Sequence, residues 1–304
     1  MNQTAAPLVR SKLPAPKAVL ELFKPITWFA PMWAFMCGVV SSGAPFSEKW
    51  PLALAGAILA GPMICATSQA VNDWFDRHVD AINEPNRPIP SGRIPGRWGL
   101  WIAMVWTVVS LLFAATLGPW VFVAAALGIV LAWAYSAPPF RLKQSGWWGP
   151  ASVGFSYEGL TWFTGAAVVT QTLPDIKILL LAGLYAAGAH GIMTLNDFKA
   201  VEGDRQLGLR SLPVVMGVDA AARFACLVMA VPQAAVIGLL VYWGLWPYAA
   251  GVLIALLAQF ALMRRLLSDP LKHTPWYNAT GTSLYVLGML VSAIGVGSLL
   301  GGTA

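Results

Sequence analysis

Long apolar runs separated by short polar breaks make up most of this chain. A helix that crosses the hydrocarbon core of a bilayer needs about 20 mostly apolar residues. Runs of this kind lie near residues 25–43, 51–72, 98–117, 119–136, 149–170, 176–196, 221–243, 246–264 and 281–301. The pattern predicts an all-α integral membrane protein with nine transmembrane helices.

The composition supports this prediction and excludes several classes of protein. Of the 304 residues, 58% are hydrophobic and 11% are charged, whereas a soluble domain carries roughly 25% charged residues. A water-soluble enzyme, a disordered chain and a nucleic-acid-binding domain all need more polar or charged residues. The lipid bilayer is therefore an expected partner of the chain, and nucleic acid is not.

The basic residues indicate how the predicted helices are oriented. With nine helices, 17 of the 19 Lys and Arg residues fall on one side of the membrane, and only Lys49 and Lys177 fall on the other. Because cytoplasmic segments are enriched in Lys and Arg, we expect a cytoplasmic N-terminus. We interpret the chain as one polytopic domain, 1–304, with a cytoplasmic segment at 1–24 and cytoplasmic catalytic loops at about 73–97 and 197–220.

Three aspartates follow the second apolar run at helical spacing. Asp73, Asp76 and Asp80 are three and four residues apart, so on an α-helix they form one stripe with neighbours about 5–6 Å apart. Like charges this close repel each other, and a divalent cation would relieve the repulsion. Oxygen ligands without His or Cys are typical of Mg²⁺, which is often shared with substrate phosphates.

A second acidic segment follows the sixth apolar run. Asp197 and Asp204 are seven residues apart, and Asn196 precedes Asp197 as Asn72 precedes Asp73. Two such helix ends facing each other would clamp a magnesium diphosphate. The predicted catalytic residues are Asp73, Asp76, Asp197 and Asp204, and the predicted metal ligands are these four together with Asp80. The alternative is that both stripes are solvated helix ends whose aspartates form ordinary ion pairs with arginines.

Basic and polar residues beside the stripes are candidates for binding the diphosphate. Arg makes bidentate contacts to phosphate and Lys provides a point charge, although anchoring at the membrane surface explains the same residues nearly as well. The candidate substrate-binding residues are Asn72, Arg87, Tyr135, Arg141, Lys143, Asn196, Lys199 and Arg205.

Two ionisable residues fall inside predicted helices, where they are functional candidates by default. Glu158 lies within the fifth apolar run and His190 within the sixth. Glu158 is interpreted either as a substrate-orienting residue or as the partner of His190 in a structural pair.

The two aspartate segments resemble those of the UbiA superfamily of intramembrane prenyltransferases. That family carries an NDxxDxxxD motif after its second helix, which is complete here from Asn72 to Asp80, and a DxxDxxxD-type motif after its sixth. The second motif departs from the family pattern, because Ala200 replaces the middle aspartate. Glu202 is a geometrically poorer substitute for that ligand.

Longer segments resemble the (bacterio)chlorophyll synthase branch of the superfamily, and they lie within about residues 18–295. They read NDWFDRHVDAINEPNRPIPSGRIPGRWGL, WAYSAPPFRLKQSGWWGP, GIMTLNDFKAVEGDRQLGLRSLPV and PWYNATGTSLYVLGM, of which the last two are most similar to the bacteriochlorophyll type. Chlorophyll synthases and the quinone and haem O prenyltransferases are the alternatives within the superfamily. A transporter is a distant alternative. Transporters place polar residues near the midplane of the bilayer, whereas the acidic residues of this chain cluster at one face of the membrane.

This resemblance implies transfer of a geranylgeranyl or phytyl group from its diphosphate to the C17 propionate of bacteriochlorophyllide a. It also implies that the nine helices surround a central cavity, which opens to the cytoplasmic side. Two Mg²⁺ ions that bridge the diphosphate are implied as well, together with a location in the bacterial inner, intracytoplasmic photosynthetic membrane and an active site on the cytoplasmic side. A geranylgeranyl reductase and pigment-accepting proteins are further candidate partners.

Overall fold

A computed structural model describes residues 13–206 and 208–302. The first half of the predicted cytoplasmic segment 1–24 therefore lies outside the described residues. Arg10 and Lys12, which contribute to the predicted charge asymmetry, lie outside them as well.

Helices account for nearly all of the described chain. They are α1 (Pro16–Leu22), α2 (Pro25–Ser41), α3 (Phe46–Asn83), α4 (Trp98–Thr116), α5 (Pro119–Ser136), α6 (148–170), α7 (Ile176–Gln206), α8 (Leu212–Met216), α9 (Val218–Tyr242), α10 (Trp246–Ser268) and α11 (Pro270–Gly301). Within residues 13–206 and 208–302 the β-structure is limited to one isolated bridge between Ser145 and Arg210.

The helices confirm an all-α membrane protein. In the described part of the chain, seven helices are long and apolar enough to cross a membrane: α3, α4, α5, α7, α9, α10 and α11. The two other predicted apolar runs coincide with α2, which is a shorter apolar helix, and with α6. Nine crossings and their orientation remain predictions.

Small residues allow the central helices to pack closely. A Cβ atom on Gly38 of α2 would lie 2.0 Å from the carbonyl oxygen of Trp162 in α6, and one on Gly165 would lie 2.0 Å from that of Phe35. In a membrane, where lipid is as apolar as the side chains, such close van der Waals packing holds helices together. α2 and α6 are thereby held in direct backbone contact.

Two helices each contain a π-helical segment, Leu59–Cys65 in α3 and Phe155–Leu160 in α6. Pro62 lies inside the first segment, and its ring removes a backbone donor from the helix. The indole of Trp106 in α4 donates a hydrogen bond of 2.9 Å to the Pro62 carbonyl oxygen. π-Segments often accompany functional sites, and both of these border the cavity described below.

Buried aromatic residues connect α6, α7 and α11. Trp162 stacks on Tyr185 with ring centroids 5.6 Å apart, and the Tyr285 hydroxyl donates to the Tyr185 carbonyl oxygen at 2.6 Å. The Trp162 indole donates to the Ser41 hydroxyl at 3.0 Å. These satisfied polar groups hold the three helices in one arrangement around the cavity.

The segments predicted as catalytic loops are partly helical. α3 continues to Asn83 and α7 to Gln206, so the first residues of 73–97 and of 197–220 extend the preceding helices. The first acidic stripe therefore lies on regular helix. The second differs, because a 3₁₀ turn over Asp197–Ala200 interrupts the α-helical register.

Candidate active site

A cavity of about 640 Å³ lies between the helices of the bundle. One wall is lined by small and aliphatic residues of α5, among them Ala124, Gly128 and Leu131. Asn72 and Asn196, which directly precede the two acidic segments, also line the cavity. An apolar chamber thus meets both predicted aspartate motifs.

Asp73 is the most deeply buried carboxylate of the first stripe, with a side chain that is 2% exposed. The Lys24 ammonium contacts its Oδ1 atom at 2.6 Å, and Arg87 approaches the same atom at 3.5 Å. Its Oδ2 atom is buried and has no hydrogen-bond partner among the described residues. A buried carboxylate oxygen without a partner is energetically costly, and it is free to accept a further ligand.

Asp76 is held from both sides. Lys143, from the segment after α5, forms an ion pair with its Oδ1 atom, and the Asn72 amide donates to its Oδ2 atom at 3.0 Å. The same Asn72 nitrogen lies 3.3 Å from the Ser136 hydroxyl. Burial lowers the pKa of Lys143, and the charge of Asp76 opposes that effect.

Arg87 connects Asp80, the last aspartate of the first stripe, to the loop that follows α3. It contacts Asp80 at 2.9 Å and Glu84 at 2.7 Å, in addition to Asp73. Hydrogen bonding from Arg87 lowers the pKa of Glu84. Burial alone would lower the pKa of Arg87, but these three carboxylates together raise it. The loop is thereby fixed against the acidic face of α3.

The second acidic segment is held differently. Asn278 of α11 donates a hydrogen bond of 3.0 Å to the Oδ1 atom of Asn196, and Asp197 begins the 3₁₀ turn. Asp204 lies in the last helical turns of α7 and interacts electrostatically with Asp197. Ala200 occupies the position where the family motif has an aspartate, so the second segment offers fewer carboxylates than the first.

Tyr135 interacts electrostatically with an aspartate of each segment. It lines the cavity, and its hydroxyl is within electrostatic range of both Asp76 and Asp197. The tertiary structure therefore brings the two predicted motifs to one end of the same cavity, although they are about 120 residues apart in the sequence.

Arg141 has a strained backbone with φ of 40°, a conformation that is uncommon for residues other than glycine. Its Nε atom is buried and has no hydrogen-bond partner in the described part of the chain. Strained residues are concentrated at functional sites. Together with the neighbouring Lys143, Arg141 makes this segment suited to binding an anion.

Two predicted binding residues lie on the surface of the second segment, and one of them, Lys199, interacts electrostatically with Asp197 and Glu84. Lys199 is exposed on the second segment, and Arg205 is exposed and pairs with Glu202 at 3.3 Å. Glu202 also accepts a hydrogen bond from Gln206, so it does not replace the missing carboxylate at Ala200 in this arrangement.

Glu158 and His190 do not form the pair that sequence reasoning left open. The His190 Nε2 atom lies 3.2 Å from the Trp147 carbonyl oxygen, and its Nδ1 atom lies 3.4 Å from the Thr194 hydroxyl. Glu158 instead lines the cavity within the π-segment of α6.

Sequence reasoning missed Lys24 and Asn278 as site residues. Lys24 contributed only to the charge asymmetry, although it has the second strained backbone near the site, with φ of 46°. Asn278 lies within the PWYNATGTSLYVLGM segment, where no role was predicted for it. A lone basic or amide residue carries little signal in a sequence, because its partners are 49 and 82 residues away in these two cases.

The donor chemistry of the first stripe fits a hard divalent cation. Its carboxylates supply oxygen ligands only, and the unpartnered Asp73 Oδ2 atom is an open ligand position. Among residues 13–206 and 208–302, however, no three His, Cys, Asp or Glu side chains are grouped closely enough to hold a metal ion. The described carboxylates of this stripe are instead neutralised by Lys24, Arg87 and Lys143.

The sequence profile of the UbiA prenyltransferase family matches residues 29–299. The chain belongs to this family. It is 60% identical to the bacteriochlorophyll synthase 33 kDa chain of Cereibacter sphaeroides over 288 residues, which cover 94% of this chain and 95% of that protein. It is 38% identical to the chloroplastic chlorophyll synthase of Oryza sativa, covering 91% of this chain and 76% of that one.

The fold agrees with this membership. A UbiA homologue from Archaeoglobus fulgidus, solved with DMAPP and Mg²⁺ bound, superposes with a TM-score of 0.71 at 21% identity and covers 94% of this chain and all of its own. The comparisons confirm the predicted prenyltransferase activity and support the bacteriochlorophyll synthase branch of the family.

Proposed function

We propose that this prenyltransferase transfers a geranylgeranyl or phytyl group from its diphosphate to the C17 propionate of bacteriochlorophyllide a. The observation that carries the proposal is the apolar cavity, which reaches the Asn-Asp segments of α3 and α7 and whose first segment is paired with cationic side chains. A C20 hydrocarbon fits an apolar chamber, and its diphosphate fits the charged end. The identity to the Cereibacter sphaeroides protein supports the pigment acceptor.

The reaction requires charge neutralisation more than proton transfer. The C1–oxygen bond of the prenyl diphosphate breaks and a carboxylate oxygen bonds to C1, while the diphosphate leaves with the electron pair. Because the nucleophile is already ionised, no strong general base is needed. This agrees with a chain that has three histidines, of which His190 is engaged with Trp147 and Thr194.

The two aspartate segments are the proposed holders of Mg²⁺, through Asp73, Asp76, Asp80, Asp197 and Asp204. Two bound Mg²⁺ ions would neutralise the diphosphate oxygens and stabilise the leaving group. The solved Archaeoglobus fulgidus relative, which holds Mg²⁺ and DMAPP, supports divalent metal use in this fold. Metal binding requires the carboxylates to exchange their present ion pairs with Lys24, Arg87 and Lys143.

The released cations are then available to the diphosphate. Arg87 and Lys143 contact the first stripe, and the buried, unpartnered Nε atom of Arg141 is available to donate to an anion. Asn72 orients Asp76, while Asn196 and Tyr135 border the cavity at the same end. Lys199 and Arg205 are proposed to contact substrate only after the second segment reorganises.

Replacing Arg87 by Ala should raise the KM for the prenyl diphosphate about tenfold and lower the efficiency of turnover. The change removes a predicted phosphate contact and leaves Asp73 and Asp80 without their shared cation. Steady-state kinetics in membranes at saturating acceptor measure the effect. The control is Arg93→Ala, because Arg93 lies in the same loop but pairs with the exposed Glu21. Equal kinetics in the two variants would contradict a phosphate-binding role for Arg87.

We place the protein in the bacterial inner, intracytoplasmic photosynthetic membrane as one domain with nine crossings. The charged end of the bundle, where Lys24, Arg87 and Lys143 gather, is the proposed cytoplasmic side because cytoplasmic segments are rich in basic residues. Segments 73–97 and 197–220 then form the cytoplasmic entrance. A geranylgeranyl reductase and pigment-accepting proteins are proposed as further partners.

One experiment separates this function from its alternatives. Membranes containing the protein are supplied with geranylgeranyl diphosphate and, in separate reactions, with bacteriochlorophyllide a, chlorophyllide a or a quinone precursor. We expect esterified bacteriochlorophyllide a as the main product, identified by chromatography. Preferred esterification of chlorophyllide a would favour the chlorophyll synthase activity of the Oryza sativa relative, and prenylation of the quinone precursor alone would overturn the proposed acceptor.

A further inference from the structure

The cavity wall formed by α11 carries polar groups to which the proposed reaction assigns no role. Asn278 and Thr282 of α11 are four residues apart, so they lie one above the other on the same helix face. Both line the cavity. The Asn278 Oδ1 and Thr282 Oγ1 atoms are buried and have no hydrogen-bond partner among the described residues.

Such groups are unusual in a membrane protein. Most Ser and Thr hydroxyls in this bundle donate to a carbonyl of the preceding turn, as Thr280 does to Trp276 at 2.9 Å and Thr274 does to Pro270 at 2.7 Å. Thr282 is on the same helix but makes no such bond to the described residues. A buried polar atom left without a partner is costly, and a ligand that supplies the partner recovers that cost.

The chemistry of the two substrates indicates which of them supplies the missing hydrogen-bond partner. A prenyl tail has neither donors nor acceptors, and the apolar α5 wall with Gly128 and Leu131 suits it. The diphosphate is anionic, and its cations lie beside the first stripe, where Lys143 and Arg87 contact α3. The polar groups of α11 therefore remain for the prenyl acceptor.

The position of Asn278 also places this wall close to the reacting atoms. Its amide bonds to Asn196, and Asn196 directly precedes Asp197 of the second aspartate segment. α11 is held against the cavity by α2, since the Trp33 indole donates to the Val286 carbonyl oxygen at 3.0 Å. A group bound at Asn278 and Thr282 thus lies next to the proposed metal and diphosphate.

We propose that Asn278 and Thr282 form the acceptor subsite, which binds the carboxylate that attacks C1 and holds it for reaction. This rests on the proposed function. The Thr282 hydroxyl donates one hydrogen bond to the carboxylate. The two amides, Asn196 and Asn278, can rotate together so that Asn196 donates to Asn278 and the Asn278 nitrogen becomes free to donate to the carboxylate, because exchange of amide O and N preserves the contact between them.

Bound in this way, one carboxylate oxygen is held while the other attacks C1. The new C1–oxygen bond forms as the C1–diphosphate bond breaks, and the leaving diphosphate takes the electron pair. No proton or redox partner is required. Asn278 and Thr282 therefore act by binding and positioning the acceptor, and their effect should be specific to that substrate.

The test is a kinetic comparison of Thr282→Val, Thr282→Ser and Asn278→Ala with the unaltered protein. Each substrate is varied at saturating concentration of the other. We expect Thr282→Val and Asn278→Ala to raise the KM for bacteriochlorophyllide a by about tenfold or more, with the KM for geranylgeranyl diphosphate changed less than about twofold. Thr282→Ser keeps the hydroxyl and should retain a near-normal KM for the acceptor.

Thr280→Val is the matched control, because Thr280 is on the same helix and its hydroxyl is already bonded to Trp276. Amount and monodispersity in detergent establish that each variant is folded, and Thr282→Val, which preserves side-chain shape, decides the outcome if Asn278→Ala does not fold. An unchanged acceptor KM in Thr282→Val, or a rise confined to the prenyl diphosphate, would overturn the acceptor subsite. Absence of esterification by the unaltered protein would instead overturn the proposed function.

Discussion

Asp76→Asn should reduce ester formation at least about 100-fold while leaving the protein inserted in the membrane. The substitution preserves the size of the side chain but removes a negative charge from the proposed metal site, and loss of such electrostatic stabilisation typically costs two to three orders of magnitude in rate. It also leaves the Lys143 ammonium without its ion-pair partner. Asp73→Asn should have a similar effect, because Asp73 has the open oxygen of the stripe.

The measurement is pigment ester formed per amount of membrane-inserted protein, determined by chromatography and immunoblotting. The control is Glu48→Gln, which removes an exposed carboxylate from the opposite end of the same helix, α3, and should leave activity unchanged. Full activity in a stably inserted Asp76→Asn variant would show that this stripe does not hold the catalytic metal.

Removal of divalent cations should abolish activity altogether, and added Mg²⁺ should restore it. Without a divalent cation the proposed diphosphate leaving group is neutralised only by side chains such as Lys143 and Arg87, which are already paired with carboxylates. Membranes treated with EDTA and then washed are assayed for ester formation over a series of Mg²⁺ concentrations.

The proposed acceptor, bacteriochlorophyllide a, itself contains a chelated Mg²⁺, so its absorption spectrum must be recorded after EDTA treatment to verify that the macrocycle is intact. Ca²⁺ at the same ionic strength is the second control, since its larger radius and flexible coordination suit the site less well. Activity that persists in EDTA with an intact acceptor would exclude a dissociable metal ion at the two aspartate segments.

The first aspartate segment could be predicted closely from the sequence, and the second could not. Asp73, Asp76 and Asp80 lie on uninterrupted helix, so their spacing alone determines that they share a face. Asp197 starts a 3₁₀ turn, and a spacing of seven residues has no fixed geometry when the helix type changes. A local departure of this kind depends on the packing of α7 against its neighbours, which no spacing in the sequence reveals.

The partners of the charged residues could not be predicted from the sequence either. Glu158 and His190 are both ionisable and lie within predicted membrane helices, and their pairing was open until the structure placed His190 against Trp147. Lys24 likewise became a site residue only through its contact with Asp73, which is 49 positions away. Ion pairs join residues that are near in space, and separation along the chain does not predict them.

By itself, the sequence determined that the protein is an all-helical membrane protein, and its motifs identified the prenyltransferase family. Both follow from local properties, because one apolar run is long enough to cross a bilayer and one aspartate stripe can be read from helical periodicity. The tertiary structure alone decided that Asn72 and Asn196 line one cavity, that Lys24 and Arg87 share Asp73, and that α11 supplies polar groups to the same cavity. These relations depend on how helices far apart in the chain pack together, and that packing follows from the close contacts of small residues such as Gly38 and Gly165.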